Sequence, residues 1–220
     1  MSTTTVRQPA YRQRLGYHSM VLGGICAIVA TLIIIGNHAT HERIAHELEM
    51  DQRKMLSQVL PAELYNNNLL QDTKTLGSGD NATTVYVARL DGQAVGFAFP
   101  VVGYGYSGAI QLIMGVNSQG EILGVRVISH AETPGLGDKI DISKDNWITS
   151  FNNQSLTTKT DSQWKVKKDG GDFDQFTGAT ITPRAVVGAV YEGLRFFQSN
   201  KDTLMATDDP VASAAATSEE

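Results

Sequence analysis

Residues 20–36, MVLGGICAIVATLIIIG, form an unbroken apolar run in which Thr31 is the one polar side chain. At ~1.5 Å per residue the run covers about 25 Å of helix, slightly short of the hydrocarbon core of a bilayer. Residues without formal charge extend from 15 to 39, which is enough to span it. The run has no polar face, which argues against a buried core helix. It is longer than the apolar part of a signal peptide, and the following GNHATHE is a poor cleavage site. An uncleaved, single-pass transmembrane anchor is therefore expected over residues 15–39, with residues 1–14 as a cytoplasmic tail.

Beyond residue 40 the pattern changes. HERIAHELEMDQRKMLSQVLPAELYNNNLL, residues 41–70, is rich in Glu, Leu, Met, Gln and Ala. It predicts one or two helices broken near Pro61, so residues 40–75 are expected as a helical connector. GSGDNAT reads as a loop. TVYVARLDGQAVGFAFPVV then holds two strands joined at Asp91-Gly92, a strong hairpin signal. The pattern repeats: a run to Val116, a turn over residues 117–120, and a run from Ile122 to Ile128. In the last run Leu123, Val125 and Val127 alternate with Gly124, Arg126 and Ile128, the period of a strand with one buried face. SKDNWITSFNN predicts a short helix capped at Ser143 or Asp145. A final helix is expected from Pro183, with Thr182 as N-cap and Val186, Val187, Val190, Leu194 and Phe197 as its apolar stripe. The fold class is α+β: one N-terminal transmembrane helix, then a domain of antiparallel strands with helices over residues 76–200. Residues 201–220 end in VASAAATSEE and are expected as a disordered acidic tail.

Charge and cysteine content narrow the partners. The first 41 residues hold Arg7, Arg12 and Arg14 and no acid, so the formal charge of −5 becomes −8 for the remainder. A body this acidic is a poor nucleic-acid binder. The single cysteine, Cys26, lies inside the apolar run, which excludes an intramolecular disulfide and a multi-cysteine metal or iron–sulfur site. Arg43, Arg53 and Lys54 follow the anchor, so basic residues nearly balance across it. The acid-free N-terminal flank favours N-terminus in and body outside.

Three motifs carry candidate chemistry. GYGYSG places Gly103, Gly105 and Gly108 at the spacing of a dinucleotide loop, but a strand follows where a helix is required. The same stretch nearly forms a nucleophile elbow at Ser107, with Ala109 where glycine is needed. HAETPGLGDK offers His130, Glu132 and Asp138 to a metal at loop spacing, with no second histidine nearby. Its Pro134, Gly135 and Gly137 otherwise shape a turn whose amides can approach a ligand. DQFTGATITP precedes the last helix, and Gly178 and Ala179 permit a tight backbone at its N-terminus, a place suited to phosphate. Thr177 and Thr180 add hydroxyls. Simple capping by those threonines is the alternative.

HAETPGLGDKI followed about forty residues later by DQFTGATITPRAVVGAV resembles the FMN-binding domain found in the G subunit of the Rnf electron transport complex. The C subunit of the sodium-pumping NADH–quinone reductase shares that domain. The resemblance covers most of the chain, and the modification motif Asp-x-x-Ser/Thr-Gly-Ala-Thr is matched by Asp174, Thr177, Gly178, Ala179 and Thr180. It implies one FMN per chain, joined to Thr180 by a phosphoester that a separate flavin transferase makes. It also implies that Glu132, Thr133, Leu136 and Gly137 line the isoalloxazine, and Thr177 and Gly178 the phosphate end. Chemistry adds Trp147, Tyr104 and Tyr106 as aromatic neighbours. In family terms the flavin relays electrons among the other subunits of a membrane complex that couples ferredoxin–NAD oxidoreduction to ion transport. The subunit alone is not expected to turn over a small substrate. The expected location is the bacterial inner membrane, with the flavin domain periplasmic. The competing readings are the quinone-reductase subunit, a cofactor-free assembly subunit, and a hydrolase using Ser107 or a metal at His130.

Overall fold

A computed structural model describes residues 15–77, 79 and 82–206; the expected N-terminal tail, residues 1–14, and residues 207–220 of the expected acidic tail lie outside the described residues. Helix α1, Leu15–Ser57, runs through the anchor and the first half of the expected connector without a break. His18–Ile35 is long and apolar enough to cross a membrane, and none of it is buried within the chain. The described residues divide into two compact units between Asp51 and Gln52.

α1 ends four residues before Pro61, which cannot continue a helix. The expected second helix is absent: Ala62–Leu64 make one 3₁₀ turn, and YNNNLL is irregular. Asn67 replaces the missing regularity. Its side chain donates to Val87 O and accepts from Arg89 N–H, both at 2.9 Å, so an amide side chain lies along a strand edge.

Five strands follow in a simple antiparallel meander: β1 Thr73–Leu76, β2 Thr83–Leu90, β3 Gln93–Tyr104, β4 Ala109–Asn117 and β5 Ile122–Ser129. The predicted hairpins are all present. Asp91 and Gly92 both have positive φ, 52° and 83°, the two-residue turn whose twist matches paired strands. At the β4–β5 turn the Asn117 side chain accepts from Gln119 N–H and Glu121 N–H at 2.9 Å. Strand β1 lies inside the stretch expected as helical connector. The predicted alternation in β5 is also corrected. Register shifts between Gly115 and Val116, leaving Leu123 as a bulge, so Ile122 joins Val125 and Val127 on one face while Leu123 packs on the other.

Helix α2, Ile181–Met205, covers the first face. The predicted stripe is buried there against Val85, Val87, Phe97, Phe99, Leu112 and Met114. Each such side chain contributes about 1.5–3 kcal/mol of apolar burial. The close crossing needs Gly193, where an added Cβ would lie 2.7 Å from Met114 Cε and 2.8 Å from Val101 Cγ1. α2 extends past residue 200, where the tail was expected to begin, and Lys74 of β1 donates to Thr203 O near its C-terminus.

Between β5 and α2 the chain is irregular but well packed. Asp145 caps a 3₁₀ helix, Asn146–Phe151, by accepting Trp147 N–H at 2.9 Å. Phe151 stacks on Phe173 at 4.7 Å and Trp164 meets Phe173 at 5.3 Å, an aromatic cluster under the loop that leads to TGAT.

A cleft at the N-terminus of helix α2

Three segments far apart in sequence meet at the start of α2. They are the β3–β4 loop around residues 105–108, the loop after β5 at residues 130–137, and the turn at residues 176–182. They enclose a cleft of ≈ 450 Å³, within the range of small-ligand sites. Glu132, Thr133, Leu136, Gly137, Gly178, Ala179 and Thr180 all line it, as does Tyr106.

Each segment is held by its own backbone. Gly105 N–H donates to Gly108 O at 2.8 Å, and Gly108 takes φ +131°. This is a strand–loop–strand hairpin, so GYGYSG shapes a loop and makes no dinucleotide turn. In the second segment Leu136 N–H and Gly137 N–H both donate to Thr133 O at 3.1 Å. Asp138, largely buried, accepts Gly135 N–H at 2.8 Å, and His130 Nδ1 accepts Glu132 N–H at 3.1 Å. His130 and Asp138 thus brace the loop. In the third segment Ala179 N–H donates to Phe176 O at 3.1 Å, closing a turn in which Gly178 has φ +83°. A side chain at Gly178 would be strained there.

Thr180 occupies the N-cap position of α2 with helical φ −72° and ψ −28°, and its side chain makes no cap hydrogen bond. The helix begins two residues before Pro183, which sits third in the first turn, where a missing N–H costs nothing. Thr182 is therefore inside the helix and does not cap it. Its buried hydroxyl donates to Glu132 Oε2. Glu132 Oε1 accepts Ser107 N–H at 2.9 Å, so Ser107 contributes its amide to the site. The sequence reading missed Ile181 and Thr182 as cleft residues; the short spacing from Thr180 into a helix start was the available signal.

Three expected neighbours stand outside the lining. Thr177 is exposed on the turn beside the cleft. Trp147 is half-buried behind the turn: its Nε1 donates to Asp174 O at 2.8 Å, and its ring meets Phe176 edge-on at 5.1 Å. It props the turn from below. Tyr104 is exposed and lines a different groove, between β3 and α2.

Two cations near the turn are held in ion pairs. Arg184 in the first turn of α2 donates to Asp169 through Nε at 2.6 Å and Nη2 at 2.9 Å, and Lys167 meets Asp174 at 2.6 Å. Arg184 holds the Asp169 carboxyl below its ordinary value of 3.8, chiefly by its hydrogen bond, with its charge adding to this against the opposing effect of burial.

These features suit a flavin nucleotide. The amides of the Gly178 turn and the helix N-terminus suit a phosphate. Tyr106 and Leu136 supply exposed apolar walls for a planar ring. Thr180 lines the same cleft, and its side chain makes no cap hydrogen bond.

The FMN-binding domain family matches residues 105–195, a span that begins at the β3–β4 loop and includes all three segments. Two similar proteins are each named as the G subunit of an ion-translocating oxidoreductase complex. That of Stutzerimonas stutzeri is 44% identical over 200 residues, covering 88% of this chain and 88% of the relative. That of Cereibacter sphaeroides is 47% identical over 188 residues, covering 85% and 86%. Among solved structures, the C subunit of the Na(+)-translocating NADH-quinone reductase from Parabacteroides distasonis shares the fold, with TM-score 0.51 at 21% identity over 70% of this chain and 92% of that one. On identity and coverage together, the chain belongs to the family of ion-translocating oxidoreductase complex G subunits, built on an FMN-binding domain.

Proposed function

We propose that this protein is the membrane-anchored flavoprotein subunit of an Rnf-type ion-translocating electron transport complex, with one FMN attached to Thr180 through a phosphoester. The observation that carries the attachment is Thr180 itself, which lines the cleft from the N-cap position and whose side chain makes no cap hydrogen bond. Glu132, Thr133, Leu136 and Gly137 would hold the ring side of the cofactor, and Thr177, Gly178 and Ala179 the phosphate side. Trp147 acts through Phe176, and Tyr106 closes the rim. FMN supplies the redox chemistry; the chain supplies position, amide donors and exclusion of water on one side.

The Thr180 hydroxyl is the nucleophile of maturation. Its oxygen would bond to the flavin phosphorus as a pyrophosphate P–O bond of an activated flavin nucleotide broke. The hydroxyl proton would pass to a base on the transferase, and a nucleoside monophosphate would leave. A transferase is the natural source of that base, because the turn holds none. A tether also frees occupancy from the concentration of free FMN, which matters for a domain outside the cytoplasm. In this reading residues 1–14 are cytoplasmic, residues 15–39 cross the bacterial inner membrane, and the flavin domain is periplasmic. The other subunits of the complex are its electron partners.

The test is co-expression with an active flavin transferase, denaturation, and fluorescence of the separated band under ultraviolet light. The wild type is expected to fluoresce. A dark wild-type band beside a labelled control substrate would favour the cofactor-free reading.

A further inference from the structure

Glu132 is more deeply committed than a cleft-lining residue needs to be. It is 5% exposed, and both carboxylate oxygens turn inward, one to Ser107 N–H at 2.9 Å and one to the Thr182 hydroxyl. Thr182 is itself 1% exposed. Two glycines leave room for this group. A Cβ at Gly105 would overlap Glu132 Oε1, and one at Gly137 would lie 2.8 Å from Oε2 and 2.9 Å from Thr182 Oγ1. A buried carboxylate held by one amide and one hydroxyl is a poor device for stability alone, since burying its charge is costly. What it achieves is connection. One side chain ties together residues 25 and 50 positions away in sequence, on the three segments that make the cleft.

We propose that Glu132 is a positioning residue that preassembles the acceptor site. It clamps the first turn of α2 to the β3–β4 loop so that Thr180, two residues before Thr182, is presented to the transferase before any flavin is bound. Thr180 has no cap bond of its own, so the placement of its turn depends on the Gly178 turn behind it and the Glu132–Thr182 contact ahead of it. This inference rests on Thr180 being the attachment residue.

The experiment uses the full chain in detergent, purified without flavin. Two quantities are measured: the rate of covalent labelling by the transferase, and hydrogen exchange at the Ser107 amide. Glu132→Ala is expected to slow labelling at least about tenfold, the order that follows when a reacting group loses its alignment. It should also expose the Ser107 amide. Glu132→Gln keeps an acceptor for Ser107 and a partner for the Thr182 hydroxyl, so labelling should stay within about threefold of wild type. Thr182→Val removes one of the two bonds and Thr182→Ser retains it; the first should slow labelling and the second should not. Gly115→Ala, on the opposite face of the sheet, separates positioning from general destabilisation and should label as wild type once folded. Glu132→Ala labelling at the wild-type rate would overturn the proposal. If Glu132→Ala does not fold, the two Thr182 variants decide, and equal rates for both would overturn it. A wild type that takes no label defeats the attachment reading instead, and Ser107 protection that is indifferent to Glu132 then defeats the clamp separately.

Discussion

The two faces of the sheet are packed by opposite means. Toward α2 the strands present Phe97, Phe99, Leu112 and Met114, large side chains that interdigitate with the helix stripe. Toward the turn that ends α1 they present Gly96, Ala98, Gly115 and Gly124, and Gly115 pairs directly with Gly124. An added Cβ at Gly124 would lie 3.1 Å from Gln58 O and from Val59 Cα, so here the backbone itself rests on the sheet beside Leu56 and Leu60. One face is thick and places a helix whose N-terminus forms the cleft. The other is thin and seats the chain emerging from the anchor helix. Site and seat share strands β3 and β4 but not side chains.

That separation can be attacked from either side. Phe97→Ala on the helix face is expected to cost about 3–5 kcal/mol in chemical denaturation, because Phe97 is fully buried and meets Phe197 at 5.4 Å. It should also loosen α2 and slow labelling of Thr180. Gly115→Ala on the thin face drives a methyl into Val59 O and is expected to cost about 1–3 kcal/mol. Labelling of the folded protein should be unchanged. Equal slowing by both variants would show that the faces are coupled. Lys74→Met withdraws a cation from the C-terminus of α2 and should cost about 0.3–1 kcal/mol, read as a small drop in denaturation midpoint with the cleft intact.

The smallest effect concerns the Arg184–Asp169 pair. Because Asp169 titrates below its ordinary value of 3.8 in the folded protein, its contribution is complete above that value and is lost as pH falls through the lowered one. Asp169→Asn should therefore be slightly less stable than wild type at neutral pH, and the difference should vanish as pH falls through the lowered value. A difference that persists undiminished in acid would contradict the assignment.

What could be read in the sequence depended on whether local chemistry decided the structure. The β2–β3 and β4–β5 hairpins were legible because Asp91-Gly92 and Asn117 impose their turns. The stripe of α2 was legible because it repeats at helical spacing and is buried on one side. Strand β1 was hidden, since Thr-Lys-Thr-Leu is short and half-exposed and draws its register from β2. The aromatic packing of Phe151, Trp164 and Phe173 has no period to detect. Cleft residues were found through a motif, whereas the Glu132–Thr182 contact joins positions 50 apart and follows from the tertiary fold alone. Thr182 looked like a cap because Pro183 favours the first position of a helix; the fold starts the helix earlier and spends that hydroxyl on Glu132.

The central claim is that Thr180 carries the flavin. Its most direct test is fragment-ion mass spectrometry of the tryptic peptide spanning residues 169–184, from protein co-expressed with the transferase. That peptide holds Thr177, Thr180 and Thr182 together. The account predicts one added mass, that of FMN less water, borne by fragments that include Thr180 and absent from those that end before it. The added mass on Thr177 or Thr182, or an unmodified peptide from yellow protein, would contradict it.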